Sequence, residues 1–331
     1  MSCLYPLTGY YSKYRNPSGK RSIVFNVREA LSVDAHKVDV PCGKCHKCQL
    51  KKSVDWAVRI THECQMSKHP NYFITLTYDN NSLPYDESLR FQDVSEFLKR
   101  LRRKIEYKEK NIPKENRTII KSYGSGEYGP NGTKRPHYHV LVMNVPYVND
   151  LEEWRKIRDN QYYTSEVIGE CWNNKGFHSI SEANFQNAAY VARYTLKKRT
   201  TFKGADERKR QWTQEMVDDH YSHTTQSGEI VIRTPEDSCS VSKGIGRSWL
   251  ETYKSDVYPS DEVIHKARRY RPPLYYDYRH NLDDPKAMER IKRKRKYRAK
   301  EAGQKQRPPV RSQEIVLKQK LDMLKRGLED V

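Results

Sequence analysis

Residues 136–145 read PHYHVLVMNV, and this run constrains the chain more than any other stretch. It is too short to cross a bilayer. Its β-branched and apolar content marks it as a strand. Successive side chains of a strand point to opposite faces, so His137 and His139 share one face and Tyr138 takes the other. Two adjacent imidazoles repel if both are protonated, and a divalent cation removes that conflict by binding them as neutral ligands. Taken alone, the pair could equally line a polar surface.

The neighbouring sequence narrows the choice. Residues 117–123 read as a second strand, and 124–134 is rich in Gly and turn formers, so the two strands are predicted to form a hairpin. Glu127 stands on the other arm, where antiparallel pairing can bring it across from the histidines. Two His and one carboxylate make a facial ligand set with positions left open for substrate. Mg²⁺ prefers oxygen and keeps its waters, whereas Mn²⁺ takes imidazole more readily.

Around the hairpin the expected elements are a helix over 49–65, a strand over 71–78 (NYFITLTY), a basic helix over 91–107 and helical segments over 150–172. A short strand over 176–180 and a helix over 184–198, capped by Asn184, complete them. The order β-α-β-β-α-β plus a last helix predicts an α+β fold. It is the ferredoxin-like, split-βαβ arrangement, an antiparallel sheet with helices on one face. Such a fold says little about function. The last helix carries Tyr190 and Tyr194, four residues apart and therefore on one helical face. A core stripe with Ala188, Val191 and Leu196 would use the same spacing. A phenol is a weak nucleophile at neutral pH. A bound cation that polarises a phosphate relieves the need for a strong base.

Charge points to the partner. Lys and Arg number 62 against 42 Asp and Glu, a net +20, which fits a polyanion such as nucleic acid. Tyr, at 24 residues, dominates the aromatics and can stack on bases. No apolar run is long enough to span a membrane, and the first residues lack an apolar signal core, so a cytosolic protein with reduced thiols is expected. Cys42, Cys45 and Cys48 follow C-x-x-C-x-x-C, a spacing that suits Zn²⁺. Cys3 and Cys64 are the candidate fourth ligands, ahead of His46. Four regions are expected. Residues 1–66 are Cys-rich, 67–200 form the core, and 201–283 pack on it, with an irregular stretch over 200–240. Residues 284–331 form a basic, partly helical arm with the run Arg290–Arg298.

The set FITLTY (73–78), GEYG (126–129), RPHYHVLV (135–142) and YVARYTLKK (190–198) resembles the HUH endonucleases, and among them the replication initiators of gokushovirus-type Microviridae. PCGKCHKC, the Gly-Ile-Gly before Trp249 and SDVYPSD (255–261) are similar as well, so the resemblance spans roughly residues 1–280. It implies that His137, His139 and Glu127 hold Mg²⁺ or Mn²⁺, and that Tyr190 and Tyr194 are the nucleophile pair of a nicking and rejoining enzyme. One Tyr would attack single-stranded DNA at the phage origin, forming a 5′-phosphotyrosine and freeing a 3′-OH for a host polymerase. The other would act after one round and close a unit-length circle. This is rolling-circle replication in the cytoplasm of a bacterial host. Arg135, Arg193, Lys197 and Lys198 would hold phosphate, with Thr75 and Thr77 on the strand beside the site. The Lys that many such initiators carry between the tyrosines is replaced here by Arg193. Which Tyr acts first stays open, with a slight preference for Tyr194. No P-loop is present, so a host helicase is expected.

Two other readings compete. Relaxases and transposases share this chemistry, although many of the transposases use a single Tyr. A ferredoxin-like nucleic-acid-binding module could stack bases on its sheet, but it has no need of inward-facing His and paired Tyr. The cysteine cluster alone would suggest a zinc-dependent regulator.

Overall fold

The structure is a computed structural model. It describes the backbone of residues 3–17, 19, 21–33, 37–43, 45–129, 134–157, 160–199, 214–303 and 308–323, and their side chains except at 193–199, 214, 216, 238, 302–303 and 321–323. Two compact units are present, Met1–Lys51 with Arg307–Lys325, and Lys52–Gln306 with Arg326–Val331.

The first unit holds β1 (Leu7–Arg15), β2 (Arg21–Val24) and β3 (Lys37–Val40), an antiparallel sheet in the order β2-β1-β3. Helix α1 (His46–Gln65) starts here and continues into the second unit. That unit runs β4 (Tyr72–Thr77), α2 (Phe91–Lys108), β5 (Lys121–Tyr128), β6 (Pro136–Met143), β7 (Glu152–Ile157), β8 (Asn160–Thr164), α3 (Glu166–Cys171), β9 (His178–Glu182) and α4 (Phe185–Arg199). It goes on through α5 (Gln214–Tyr221), β10 (Ser222–Thr224), β11 (Ile230–Ile232), β12 (Ser238–Val241), α6 (Arg247–Val257), β13 (Val263–His265), β14 (Arg268–Tyr270), α7 (Leu274–Asp283) and α8 (Pro285–Gly303). Helix α9 (Val310–Met323) belongs to the first unit.

The main sheet has the order β12-β5-β6-β4-β9-β8-β7. In its centre, β5 is separated from β4 by β6, and β9 lies on the far side of β4. This is a split-βαβ connection in a large antiparallel sheet, so the class is α+β. Helices cover both faces, not one. Tyr72, Ile74, Leu76, Tyr138, Val140 and Val142 face α2 and α3. Phe73, Tyr123, Leu141 and Met143 face α1, through Ala57 and Ile60, and α4, through Ala188, Val191 and Ala192. The reason lies in the strands themselves. YFITLT and VLVM are apolar at nearly every position, and a strand that is apolar on both sides needs a cover on both.

Other boundaries also differ from expectation. Gly124 and Gly126 lie inside β5 rather than in a turn. A β-carbon at Gly124 would sit 2.9 Å from the His139 carbonyl oxygen, and one at Gly126 would meet Leu89 at 2.7 Å and Phe91 at 3.0 Å. These are glycines of close approach. The region 150–172 gives the β7–β8 hairpin before its one helix, α3. Of the stretch read as irregular, residues 200–213 lie outside the described residues, and the rest forms α5 and strands β10 to β12, with β12 paired to β5. The helix cap at Asn184 is present: its Oδ1 accepts from the Asn187 N–H at 2.9 Å. The basic run is part of a docked helix rather than an exposed arm. Met288 and Ile291 of α8 are buried with Val58, Leu250 and Tyr276. Arg295 Nε donates to Asp261 Oδ2 at 2.9 Å and its Nη2 to Asp277 Oδ1 at 2.8 Å.

Trp172 is the largest fully buried side chain. It packs on Tyr78, Phe97 and Tyr138, and its indole donates to the Thr77 carbonyl at 3.2 Å. Trp172→Ala is expected to cost about 3–5 kcal/mol, read as a lower urea midpoint.

Candidate metal centre and its tyrosine

Strand register builds the site. Glu127 lies directly opposite His137 in the β5–β6 pairing. Thr77 and Thr75 lie opposite His137 and His139 in the β4–β6 pairing. The alternation that sends Tyr138 into the α2 side sends both imidazoles to the α4 side. There Glu127 Oε1 stands 3.2 Å from His137 Nε2 and 2.8 Å from His139 Nε2. The three possible ligand atoms all lie within 4.8 Å of one another.

The hydrogen-bond inventory shows why this is more than a polar cluster. His137 Nδ1 is 3.2 Å from the Arg135 carbonyl oxygen. A carbonyl only accepts, so Nδ1 carries the proton, and in a neutral ring Nε2 is left with a lone pair aimed at a carboxylate oxygen. His139 Nδ1 lies 3.0 Å from Thr75 Oγ1. With Nδ1–H donating to that hydroxyl, its Nε2 is in the same position. That Nε2 makes no aligned hydrogen bond despite its short distance to Glu127, and Glu127 Oε2 has no hydrogen-bond partner among the described residues. Lone pairs facing lone pairs around a buried carboxylate call for a cation, and two imidazoles with a carboxylate suit Mn²⁺ or Mg²⁺.

Electrostatics agree. Burial alone would raise the Glu127 carboxyl, but its contacts with His137 and His139 hold it well below the usual carboxylate range. Burial pushes His139 down, against the pull of Glu127, so its ring stays neutral. An ionised carboxylate, 4% exposed, next to a neutral imidazole, 1% exposed, is a buried negative charge that needs a partner.

Tyr190, on α4, is 3% exposed and donates its hydroxyl to Glu127 Oε1 at 3.0 Å. Its ring meets His139 edge-on, with centroids 5.3 Å apart. The side chains of Tyr194, Arg193, Lys197 and Lys198 lie outside the described residues. Arg135 is used locally: its guanidinium donates to the Tyr78 carbonyl at 2.8 Å and to the Asn80 side chain. Thr75 is buried under His139, a role as orienting partner that its sequence position did not reveal. The signal available was register: Thr75 alternates in phase with Phe73, which stacks on His139 with centroids 5.3 Å apart. Separately, the sulfurs of Cys3, Cys42, Cys45 and Cys48 lie within 4.8 Å of one another, a set that includes neither Cys64 nor His46.

Titration of the full chain with Mn²⁺, followed by the EPR signal of the free ion, should reveal a site that Glu127→Gln and His139→Ala remove. Thr75→Val is expected to weaken it about 10–100-fold, and Thr75→Ser to restore it.

The model of the replication-associated protein ORF2 family matches residues 71–199, the span from β4 through α4 that supplies every residue of this site. The chain is 31% identical over 272 residues to replication-associated protein ORF2 of Spiroplasma virus 4, covering 79% of this chain and 74% of that one. It is 31% identical over 314 residues to replication-associated protein VP4 of Bdellovibrio phage phiMH2K, covering 92% and 85%. With replication-associated protein ORF4 of Chlamydia phage 1 it shares 35% identity over 163 residues, 48% of this chain and 38% of that one. No solved structure matches the chain significantly. On the strength of the first two relatives, matched over most of their length, the chain belongs to the replication-associated protein ORF2 family.

Proposed function

We propose that this protein serves phage DNA replication as an HUH-type endonuclease, which nicks single-stranded DNA at the origin and later rejoins it to close unit-length circles. The observation that carries the reading is the convergence of the Tyr190 hydroxyl and both imidazole Nε2 atoms on one oxygen of Glu127. A nucleophile, a cation-binding set and an orienting carboxylate then occupy one small volume.

A bound Mg²⁺ or Mn²⁺ would polarise the scissile phosphate and stabilise charge on its oxygens. His137, His139 and Glu127 would hold the ion, and Thr75 would keep the His139 ring in place. Glu127 fixes the direction of the Tyr190 hydroxyl, so the phenol meets the phosphate already oriented. Attack forms the bond from tyrosine oxygen to phosphorus and breaks the bond from phosphorus to the 3′ oxygen. The phenol proton passes to solvent, and the departing 3′ oxygen takes one up. The free 3′-OH then primes a host polymerase, with a host helicase opening the duplex. Tyr194 lies one helical turn from Tyr190 and belongs on the same face, which suits a second nucleophile for the closing step. The net charge of +20 supports a polyanionic substrate. Among the described residues no helix is long and apolar enough to cross a membrane, in keeping with action in the host cytoplasm.

The test is a covalent-trapping assay with a labelled single-stranded origin oligonucleotide, run with Mn²⁺, with Mg²⁺ and with EDTA. A metal-dependent protein–DNA band is expected. His137→Ala should slow its formation on the order of 10³-fold, about 4 kcal/mol of transition-state stabilisation. The double variant Tyr190→Phe, Tyr194→Phe should abolish it, and the single variants name the initiating residue. Tight DNA binding with no covalent band would favour a binding module; a band that survives the double variant would remove both tyrosines from the mechanism.

A further inference from the structure

The first unit raises a question of stability that its own core does not answer. Among the described residues up to Lys51, Leu4 and Cys48 are the buried apolar side chains. Leu7, Tyr11, Tyr14, Ile23, Phe25 and Val27 are all 39–67% exposed. A unit this small with so little buried apolar surface lacks the usual source of folding free energy and needs a staple.

A set of side chains able to provide one stands at the start of α1. Cys3, Cys42, Cys45 and Cys48 are all free thiols. The Cys3 sulfur is 3.4 Å from that of Cys42 and 3.7 Å from that of Cys45. A tetrahedral ion with bonds of about 2.3 Å to sulfur has ligand–ligand edges of about 3.8 Å, so these spacings are close to those of a ligand shell. The loop is shaped for it. Gly43 has φ +75°, which turns the chain between the first two ligands of the loop. The Cys45 N–H donates to Cys42 Sγ at 3.3 Å and the Cys42 N–H to Cys3 Sγ at 3.3 Å. Backbone N–H groups aimed at sulfur stabilise negative charge there. The Gln49 N–H donates to the Cys45 carbonyl at 3.0 Å, which ties the loop to the first turn of α1.

We propose that these four cysteines bind one zinc ion, which takes the place of a hydrophobic core in the first unit and fixes residue 3 to the start of α1. Binding exchanges four S–H protons, released to solvent, for four sulfur–metal bonds, and leaves a net charge of −2 on the centre. Lys44 and Lys47 stand between the ligands in sequence and supply opposing charge. An all-sulfur set selects a soft ion, whereas the Glu127–His137–His139 set suits Mn²⁺ or Mg²⁺. The two sites therefore hold different cations, and neither proposal depends on the other.

The test uses the full chain carrying His137→Ala and His139→Ala, so that bound metal reports on the thiols alone. Purified under reducing conditions, it should contain one zinc per chain by elemental analysis. That zinc should be released as a mercurial titrates four thiols. Cys64→Ser, in the same helix, should keep the metal, and Cys42→Ser and Cys45→Ser should lose it. Should those two fail to fold, the parent chain still decides. Substituted with Co²⁺, it should show the sulfur-to-metal charge-transfer band and visible d–d bands of a tetrahedral thiolate site. Removing zinc should also open residues N-terminal to 48 to protease. A metal-free chain with an unchanged protease pattern, zinc that persists in folded Cys42→Ser, or iron and sulfide in place of zinc would each overturn the proposal.

Discussion

A carboxylate held ionised in the interior between two imidazoles organises this protein. Glu127 is buried on a strand whose neighbours are mostly apolar, where a charge is costly unless it is compensated. Its partners come from three different elements: His137 and His139 from β6, Thr75 from β4 through His139, and Tyr190 from α4. Each arrives only if the strand registers are right. A slip of one residue in β6 would turn both histidines into the α2 face and bring Tyr138 into the site.

The layers around the sheet make that precision possible. On one side α2, α3 and Trp172 form a dry core against Tyr138 and Val140. On the other, α1 and α4 cover Phe73 and Leu141 and place Tyr190 beside the histidines. Close approach within the sheet depends on Gly124 and Gly126, where a β-carbon would collide. The cation site thus sits on strands, the most rigid part of the fold, and the nucleophile sits on a helix packed against them. Such an arrangement suits chemistry that relies on positioning rather than on a strong base.

Much of the site could be read from the residues alone. The i, i+2 histidines in a β-branched run fixed their own shared face, Glu127 fell across the predicted hairpin, and Tyr190 and Tyr194 declared one helix face. What stayed hidden was whatever depends on contacts between distant segments. Gly124 and Gly126 look like turn residues until their neighbours in space are known. Thr75 looked like a DNA contact and proved to be the hydroxyl on His139. The two-sided helical cover was implied by β4 and β6 but not recognised, because strand order carries no information about which face a helix crosses. Charge misled at α8: Arg290–Arg298 reads as a solvated arm, yet Arg295 lies between two aspartates and Met288 and Ile291 are buried.

The account rests on Glu127, His137 and His139 forming one cation site. A crystal of the full chain grown with Mn²⁺ and measured for anomalous scattering tests this most directly. One manganese peak is predicted within about 2.0–2.3 Å of both imidazole Nε2 atoms and a Glu127 oxygen, with the Tyr190 hydroxyl alongside. No peak there at saturating Mn²⁺, with Glu127 bound only to protonated histidine, would contradict it.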